Sequence, residues 1–468
     1  MALPPASRAR CCAEHTRSAL LRAGVAEAGR GLPAIEPGMP LPAGSGLDRR
    51  SFVLRGVGMA LAVYGAGALR PEAFAEGIEA AAAGTPARVL VNVFLDGGAD
   101  SLNMLFPAAD PLYRQYRPRL GLSAEGAAPF AEDGRLYWHP SLASLAALHA
   151  EGKVSVLPGV GYTGANQSHF TSRHYWEVGA TNDALRTGWL GRYLDRAGAP
   201  DNPLQGVSLD NRLQPALATA RVPIASIDGP DRYDFWTRGV WGEVADRLLD
   251  AVGALGALPS GGDEGLGAAA DVARQSHQLY GQLAVFKPRD GKTPSLGTPV
   301  PYPVSDDAFP RRLAGLAAML AAGLPVRCAA LTAPGRYDTH DNQPDELANG
   351  LRLTADSLLA FQRDLEARGL ADRVLVHVWS EFGRRARENG SNGTDHGAAG
   401  MGFVIGSRAA GRMVGEFPGL QTLDERGNLR ATADFRSVYA ALLEGWLGAD
   451  PEAIIPGASR FPRVTLLE

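Results

Sequence analysis

Apolar residues gather along this chain in two kinds of run, continuous and spaced, and their alternation predicts the fold. Arg88 to Leu95 (RVLVNVFL), Lys153 to Leu157, Val326 to Thr332, Arg373 to Trp379 (RVLVHVW) and Met401 to Ile405 are almost unbroken by polar residues. Such runs predict strands covered on both faces. The spaced runs predict helices. His139 to Glu151 sets Leu142, Leu145 and Leu148 on one face and stops at Gly152, and Leu347 to Gly369 does the same with Leu351, Leu358, Leu359, Phe361 and Leu365. Asn166 to Gly179, Ala308 to Leu324 and Ala433 to Leu447 also read as helices. The strand, helix, strand order predicts an α/β class protein, a three-layer α/β/α sandwich around a large, mostly parallel central sheet.

The middle third is less regular. Gly188 to Ile227 carries a short helix and two short apolar runs, Gly206 to Leu209 and Val222 to Ile227, while Arg238 to Leu283 is helical in composition apart from a break at Pro259 to Gly267. Phe286 to Pro303 is rich in Pro, Gly and Lys and reads as loop. We therefore expect a single domain over residues 88–468 with a helical insertion or lid around 230–305.

The amino-terminal pattern differs from all of this. Asp48-Arg49-Arg50-Ser51-Phe52-Val53-Leu54, followed by the weakly apolar Gly58 to Leu69 and the small-residue step Ala73-Phe74-Ala75, resembles a twin-arginine export signal with its cleavage site. The apolar run is about a dozen residues, short of the roughly 20 that span a bilayer, so a removed signal over residues 1–75 is expected rather than a permanent membrane span. Residues 76–87 then form a linker, and Met39 is an alternative start to Met1. The signal implies the twin-arginine translocase as a partner during export and a periplasmic or extracellular destination in a bacterium. That route carries folded cargo, which suits a protein that loads a metal before it leaves the cell.

Composition narrows the function classes. With 468 residues, 45% of them hydrophobic and 21% charged, the chain can bury a sizeable core. A formal net charge of -4 without a long basic run excludes counterion-driven nucleic-acid binding. The cysteines are Cys11, Cys12 and Cys328, and the first two precede the export signal. A mature chain keeps one, so it has no internal disulfide, and any metal must be held by oxygen and nitrogen donors.

Candidate chemistry concentrates where predicted strands end, the place at which an open α/β sheet gathers ligands. The first strand runs into Asp96-Gly97-Gly98-Ala99-Asp100, whose glycines let backbone approach a ligand closely. Asn166, Ser168 and His169 open a helix, and backbone donors at a helix start favour an anion, so the Ser168 hydroxyl is placed to meet a phosphate or sulfate ester. Asp338, His340 and Asp341 follow the third strand. Ser380-Glu381 ends the fourth, with Arg384, Arg385, Arg387, a Gly/Asn/Ser loop and the pair Asp395-His396 directly after it.

Taken in order, FLDGGAD, NQSHF, YDTHDNQ, SEFGRR and GTDHG resemble the exported bacterial family called domain of unknown function 1501, of the alkaline phosphatase and sulfatase clan. The resemblance covers about Arg88 to Leu447 and implies an alkaline phosphatase-like fold. It implies a metal-assisted hydrolase of phosphate or sulfate esters, acting on an anionic small molecule or polysaccharide ester. By that resemblance Asp96, Asp338, His340, Glu381 and His396 hold a divalent metal such as Zn, Ca, Mg or Mn, Ser168 attacks, and Arg384 or Arg385 stabilises the transferring anion. Asp100, Asn166 and His169 line the cleft. The clan's pattern has an Asp-His step where this chain has Glu381-Phe382, which removes an imidazole from a second metal; Glu381 then either coordinates or pairs with Arg384, and Asp395 is the residue that restores a ligand. One hard divalent ion, or none, follows from that departure. The alternative function is a catalytically silent relative that binds a polysaccharide or protein partner in the same cleft.

Overall fold

The structure is a computed structural model that describes residues 87–199, 202–210, 212–233, 242–258, 264–287 and 296–468, with Pro40, Ala43 and Val63–Tyr64. The arginine pair, most of the apolar run, the cleavage step and nearly all of the linker lie outside the described residues. The chain divides into two compact units, one built from Arg88–Thr181, Pro299–Ala317 and Leu331–Glu468, the other from Met1–Ala87, Asn182–Thr298 and Ala318–Ala330.

The first unit carries every candidate site residue. Its elements are β1 (Val89–Phe94), α1 (Ala143–Ala150), β2 (Val154–Gly161), α2 (His169–Val178), α3 (Gln343–Ala367), β3 (Val374–Trp379), β4 (Arg384–Glu388), β5 (Thr394–His396), β6 (Gly400–Ile405), β7 (Ala433–Asp434) and α4 (Phe435–Ala441). All residues of β1 and β3 are buried, as their unbroken apolar sequences require. The two pair in parallel from Val89↔Val374 to Phe94↔Trp379. Their carboxyl ends therefore lie side by side. Within this ladder Asn92 opposes His377, and the His377 Nδ1–H donates to Asn92 Oδ1 at 2.8 Å, so the two polar groups satisfy one another.

Pairing is mostly parallel, and the direction reverses at β6, which runs antiparallel to both β3 and β2. The chain between β3 and β6 is spent on a hairpin, so no crossover helix is available to bring the strand round in the parallel sense. β2 runs on to Gly161, beyond the expected stop at Leu157. A register shift between Gly400 and Gly402 accommodates Pro158, whose ring nitrogen has no hydrogen to give to the ladder. α2 ends at Gly179 in the left-handed conformation, φ 67°, as the sequence predicts, but it begins at His169, with Ser168 at the cap position.

The largest departure from expectation is the Arg384 to His396 stretch. It reads as a loop in sequence and folds as a two-stranded antiparallel ribbon, β4 with β5, in which Arg384 opposes His396. In the second unit Gly206–Ser208 pairs in parallel with Ile224–Ser226 and with Cys328, Ala329 and Ala330, and Val63–Tyr64 pairs antiparallel with Ile224 and Ala225. The helices Glu243–Gly256 and Glu264–Leu283 of that unit pack against each other. Among the described residues no helix is long and apolar enough to cross a membrane.

Candidate metal centre

The turn after β1 explains its own sequence. Gly97 and Gly98 have φ of 127° and 74°, and a Cβ on Gly97 would lie 2.3 Å from the Asp338 nitrogen while one on Gly98 would lie 2.2 Å from the Phe382 ring. With no side chains in the way, both amides turn onto Glu381. Gly97 N–H donates to Glu381 Oε1 at 3.1 Å and Gly98 N–H to Oε2 at 3.0 Å, and Ser380 Oγ lies 3.1 Å from Oε2. A fully buried carboxylate costs several kcal/mol unless its lone pairs are met, and here they are.

Glu381 in turn holds an imidazole. His169 Nδ1 lies 2.6 Å from Glu381 Oε1, and because the carboxylate accepts, Nδ1 carries the hydrogen. The opposite nitrogen of His169, Nε2, then faces His396 Nε2 at 3.0 Å and Asp338 Oδ1 at 3.4 Å. His396 repeats the arrangement, since its Nδ1 donates to the Gln167 carbonyl at 2.9 Å and its Nε2 lies 3.3 Å from Asp338 Oδ1. His340 Nε2 sits 2.9 Å from His396 Nε2 and 3.0 Å from Asp338 Oδ1, with its Nδ1 3.6 Å from Asp395. Three imidazoles thus present Nε2 toward one carboxylate oxygen. Phe382 supplies the apolar wall, its ring centroid 4.8 Å from that of His169 and 4.9 Å from that of His396.

The charges are strongly biased by this packing. Burial opposes protonation of His169, but hydrogen bonds and charge from Asp338 and Glu381 outweigh it and push the imidazole up to about 9. Burial and the positive charges of His169 and Arg384 push His396 down to about 3 despite Asp338. Burial alone would raise Asp338; hydrogen bonds from His169, His340 and His396 hold its carboxyl far below the usual range. His169, Asp338 and His396 offer ligand atoms that all lie within 4.8 Å of one another, and a donor set of two or three imidazoles with a carboxylate, each imidazole turned by an acceptor on its far nitrogen, fits a divalent cation.

The candidate residues divide into those this cluster gathers and those it does not. Asp338, His340, His396 and His169 meet directly, and Asp395 stands behind His340. Both oxygens of Glu381, which was expected among the ligands, are engaged with the Gly97 and Gly98 amides, Ser380 and His169. The Arg384 side chain is fully buried and donates to the carbonyls of Gly98 at 2.7 Å, Thr394 at 2.9 Å, Tyr337 at 3.1 Å and Gly97, and to Asp338 Oδ1 at 2.6 Å, so it ties these loops together. Arg385 follows on the same strand, is partly buried, and its backbone carbonyl accepts from Arg117 Nη2 at 3.0 Å. Asp100 leaves the cleft for a fully buried ion pair with Arg117, whose Nη2 donates to Oδ1 at 2.8 Å.

Asp96 is half-buried, with Oδ2 3.4 Å from Arg173 Nη1. Asn166 Oδ1 accepts from the Ser168 amide at 2.8 Å, which sets the turn that starts α2. Ser168 caps that helix by backbone geometry, while its side chain makes no capping hydrogen bond. Sequence reasoning missed Gln167, whose backbone carbonyl orients His396, and Asn389, whose side-chain amide donates to the His340 carbonyl at 2.8 Å. A backbone carbonyl leaves no compositional signal. For Asn389 the turn-rich segment around it was the available hint.

Residues 274–441 match the family described as protein of unknown function DUF1501. No curated protein matches. Among solved structures, the chain is similar to a protein in the alkaline phosphatase superfamily from Vibrio parahaemolyticus at 11% identity and TM-score 0.38, over 85% of this chain and 80% of that one. It is also similar to the integral membrane protein lipooligosaccharide phosphoethanolamine transferase A from Neisseria meningitidis, at 13% identity and TM-score 0.35 over 89% of this chain and 66% of that one. A third likeness, to a phosphonate monoester hydrolase from Silicibacter pomeroyi, has 15% identity and TM-score 0.31 over 81% and 75% of the two chains.

Proposed function

We propose that this protein is an exported, metal-assisted hydrolase of phosphate or sulfate esters, working in the periplasm or outside the cell on an anionic small molecule or polysaccharide. One observation carries the reading: His169, His340 and His396 turn their Nε2 atoms toward Asp338 Oδ1, with Glu381, Asp395 and the Gln167 carbonyl behind them. A divalent ion held there would act as a Lewis acid on the ester and offset charge on the transferring group. The chain's own residues do the rest. Ser168, at the start of α2 and next to His169, forms the bond from its Oγ to phosphorus or sulfur as the ester oxygen leaves with the alcohol; water then releases the acid and restores the hydroxyl. The α2 amino terminus favours the anion, and Asp96 is retained as a further ligand beside the Gly97 turn.

Assay of wild type, Ser168→Ala and Asp338→Ala against a panel of phosphate and sulfate esters, with and without chelator, tests this. The expected result is turnover in wild type that falls at least about 100-fold in each variant and on chelation. Equal rates in all of these conditions defeat it. A second reading, a catalytically silent relative that binds a polysaccharide or protein partner, draws on the complete internal engagement of Glu381 and Arg384. Ligand binding that survives Ser168→Ala and occurs without turnover would favour it.

A further inference from the structure

The ribbon formed by β4 and β5 holds more guanidinium groups than its carboxylates meet. Glu388 is taken by its neighbours: Oε1 accepts from Arg119 Nε at 2.7 Å, and Oε2 from the Arg119 and Leu120 amides at 3.0 and 2.8 Å. Asp395 stands 3.6 Å from His340, and Asp100 is bound by Arg117. Arg385 and Arg387 have no such partner. Among the described residues neither has a carboxylate within ion-pair distance, and the Arg385 guanidinium makes no hydrogen bond although its Nε is buried. A desolvated donor with no acceptor is unfavourable, and an anion from outside is what would satisfy it. Arg387 is exposed, its guanidinium carbon 4.7 Å from the centroid of the Tyr116 ring. Seated over the ring it is held in place, while the N–H groups around its edge stay available.

Both groups stand beside the candidate centre. Arg384 opposes His396 across the ribbon, and Gly397 packs so closely that a Cβ on it would lie 2.8 Å from the Arg385 nitrogen. Two residues of extended strand span about 7 Å, so Arg387 lies that much further along the ribbon. We propose that Arg385 and Arg387 form a track for the flanking anionic groups of a polymeric substrate, a polysaccharide that carries several sulfate or carboxylate groups. The inference deepens the hydrolase reading, on which its catalytic meaning rests: the ester being cleaved sits at the cluster and its neighbours along the chain sit on the ribbon. Planar guanidinium forks match either oxyanion with paired hydrogen bonds. A nucleic acid fits less well, because the Tyr116 ring that would stack a base is covered by Arg387 and the chain carries a net charge of -4.

Calorimetric titration of the full-length protein with dextran, dextran sulfate and carboxymethyl-dextran reads this out without reference to activity, since the three probes share one backbone and differ in their anions. The expected result is binding of one or both charged polymers, weakened by added salt, and none of plain dextran. Whichever charged polymer binds more tightly identifies sulfate or carboxylate as the group recognised. Arg385→Gln should lower the affinity about 10-fold, as for a hydrogen-bonded charge at a partly desolvated donor, and the exposed Arg387→Gln about 3-fold. Arg387→Lys, which keeps the charge without the planar fork, should still bind more weakly than wild type. Arg426→Gln, a change at an exposed arginine away from the ribbon, serves as the control and should bind as wild type does. Circular dichroism melts show whether each variant is folded, and Arg387→Gln, at an exposed position, keeps the test decisive should Arg385→Gln fail to fold. Plain dextran binding as well as the charged polymers, no binding of either charged polymer, single-stranded DNA or polyglutamate binding as tightly, or folded variants that all bind as wild type does overturns the proposal. Binding that depends on both arginines, in a protein that hydrolyses no ester, overturns the hydrolase reading alone. Ester turnover without any binding of the charged dextrans overturns this inference alone.

Discussion

Two buried polar groupings of the same unit, Asn92–His377 in mid-ladder and the His169–His340–His396 cluster at the strand ends, use one residue type to opposite ends. His377 is buried beside a neutral amide, and burial pushes its imidazole down to about 3. His396 is pushed to a similar value, yet its neighbour His169 is pushed up to about 9 by two carboxylates. Burial is therefore common to both regions and decides nothing between them. What differs is what lies beyond the second nitrogen. In the ladder the pair closes on itself; at the strand ends each imidazole is held from behind and leaves Nε2 pointing at Asp338. A histidine is poised for an ion by the groups behind it, and these come from Gln167 just before α2, Glu381 at the β3 end and Asp395 on β5.

The comparison breaks first at Arg384. Arg384→Ala leaves Asp338 and several buried carbonyls without their donor, and a buried charge that loses its partner costs about 3–5 kcal/mol. Denaturant unfolding should show that loss, and a loss below about 1 kcal/mol would mean that the loops around the cluster are held by something else.

The mid-ladder pair predicts an acid response. His377 has a folded value near 3, below the ordinary 6.5, so the unfolded chain binds more protons between those limits. Stability is then full above about pH 6.5 and falls as the pH drops toward 3, by an amount on the order of 4 kcal/mol from this group. A double variant, Asn92→Leu with His377→Leu, removes both partners together, so it should be close to wild type at neutral pH and lack that part of the acid loss. Urea midpoints at pH 7 and pH 4 check both statements. If the double variant loses stability on acidification as steeply as wild type, the pair is not the source.

The smallest effect should come from Asp395→Asn. Its contact with His340 is 3.6 Å long and both groups are partly exposed, so a change within about 1 kcal/mol is expected in thermal melts. A larger loss would place Asp395 on a level with Glu381.

Much of this was legible from residue order. The short unbroken Val/Leu runs of β1 and β3, bounded by breakers, predict strands covered on both faces, and the Leu spacing of α3 predicts an amphipathic helix, as the fold has them. The motif resemblance put Asp338, His340 and His396 into one expected site, and their side chains meet in the fold. Local pattern also explains the errors. The segment from Arg384 to His396 has too few apolar residues to announce a ribbon; what makes it one is the inward turn of Arg384 onto the carbonyls of Gly97, Gly98 and Tyr337, about which sequence spacing is silent.

By itself, the order of residues determined the α/β class, the strand ends as the place where the candidate ligands gather, and nitrogen and oxygen as the available donors. Only the tertiary structure decided that Glu381 contacts His169, that Arg384 and Asp100 make buried ties to Asp338 and Arg117, and that β6 runs against its neighbours. The reason is that which lone pair faces a site depends on what occupies the other side of each group, and those occupants are brought from distant parts of the chain by packing.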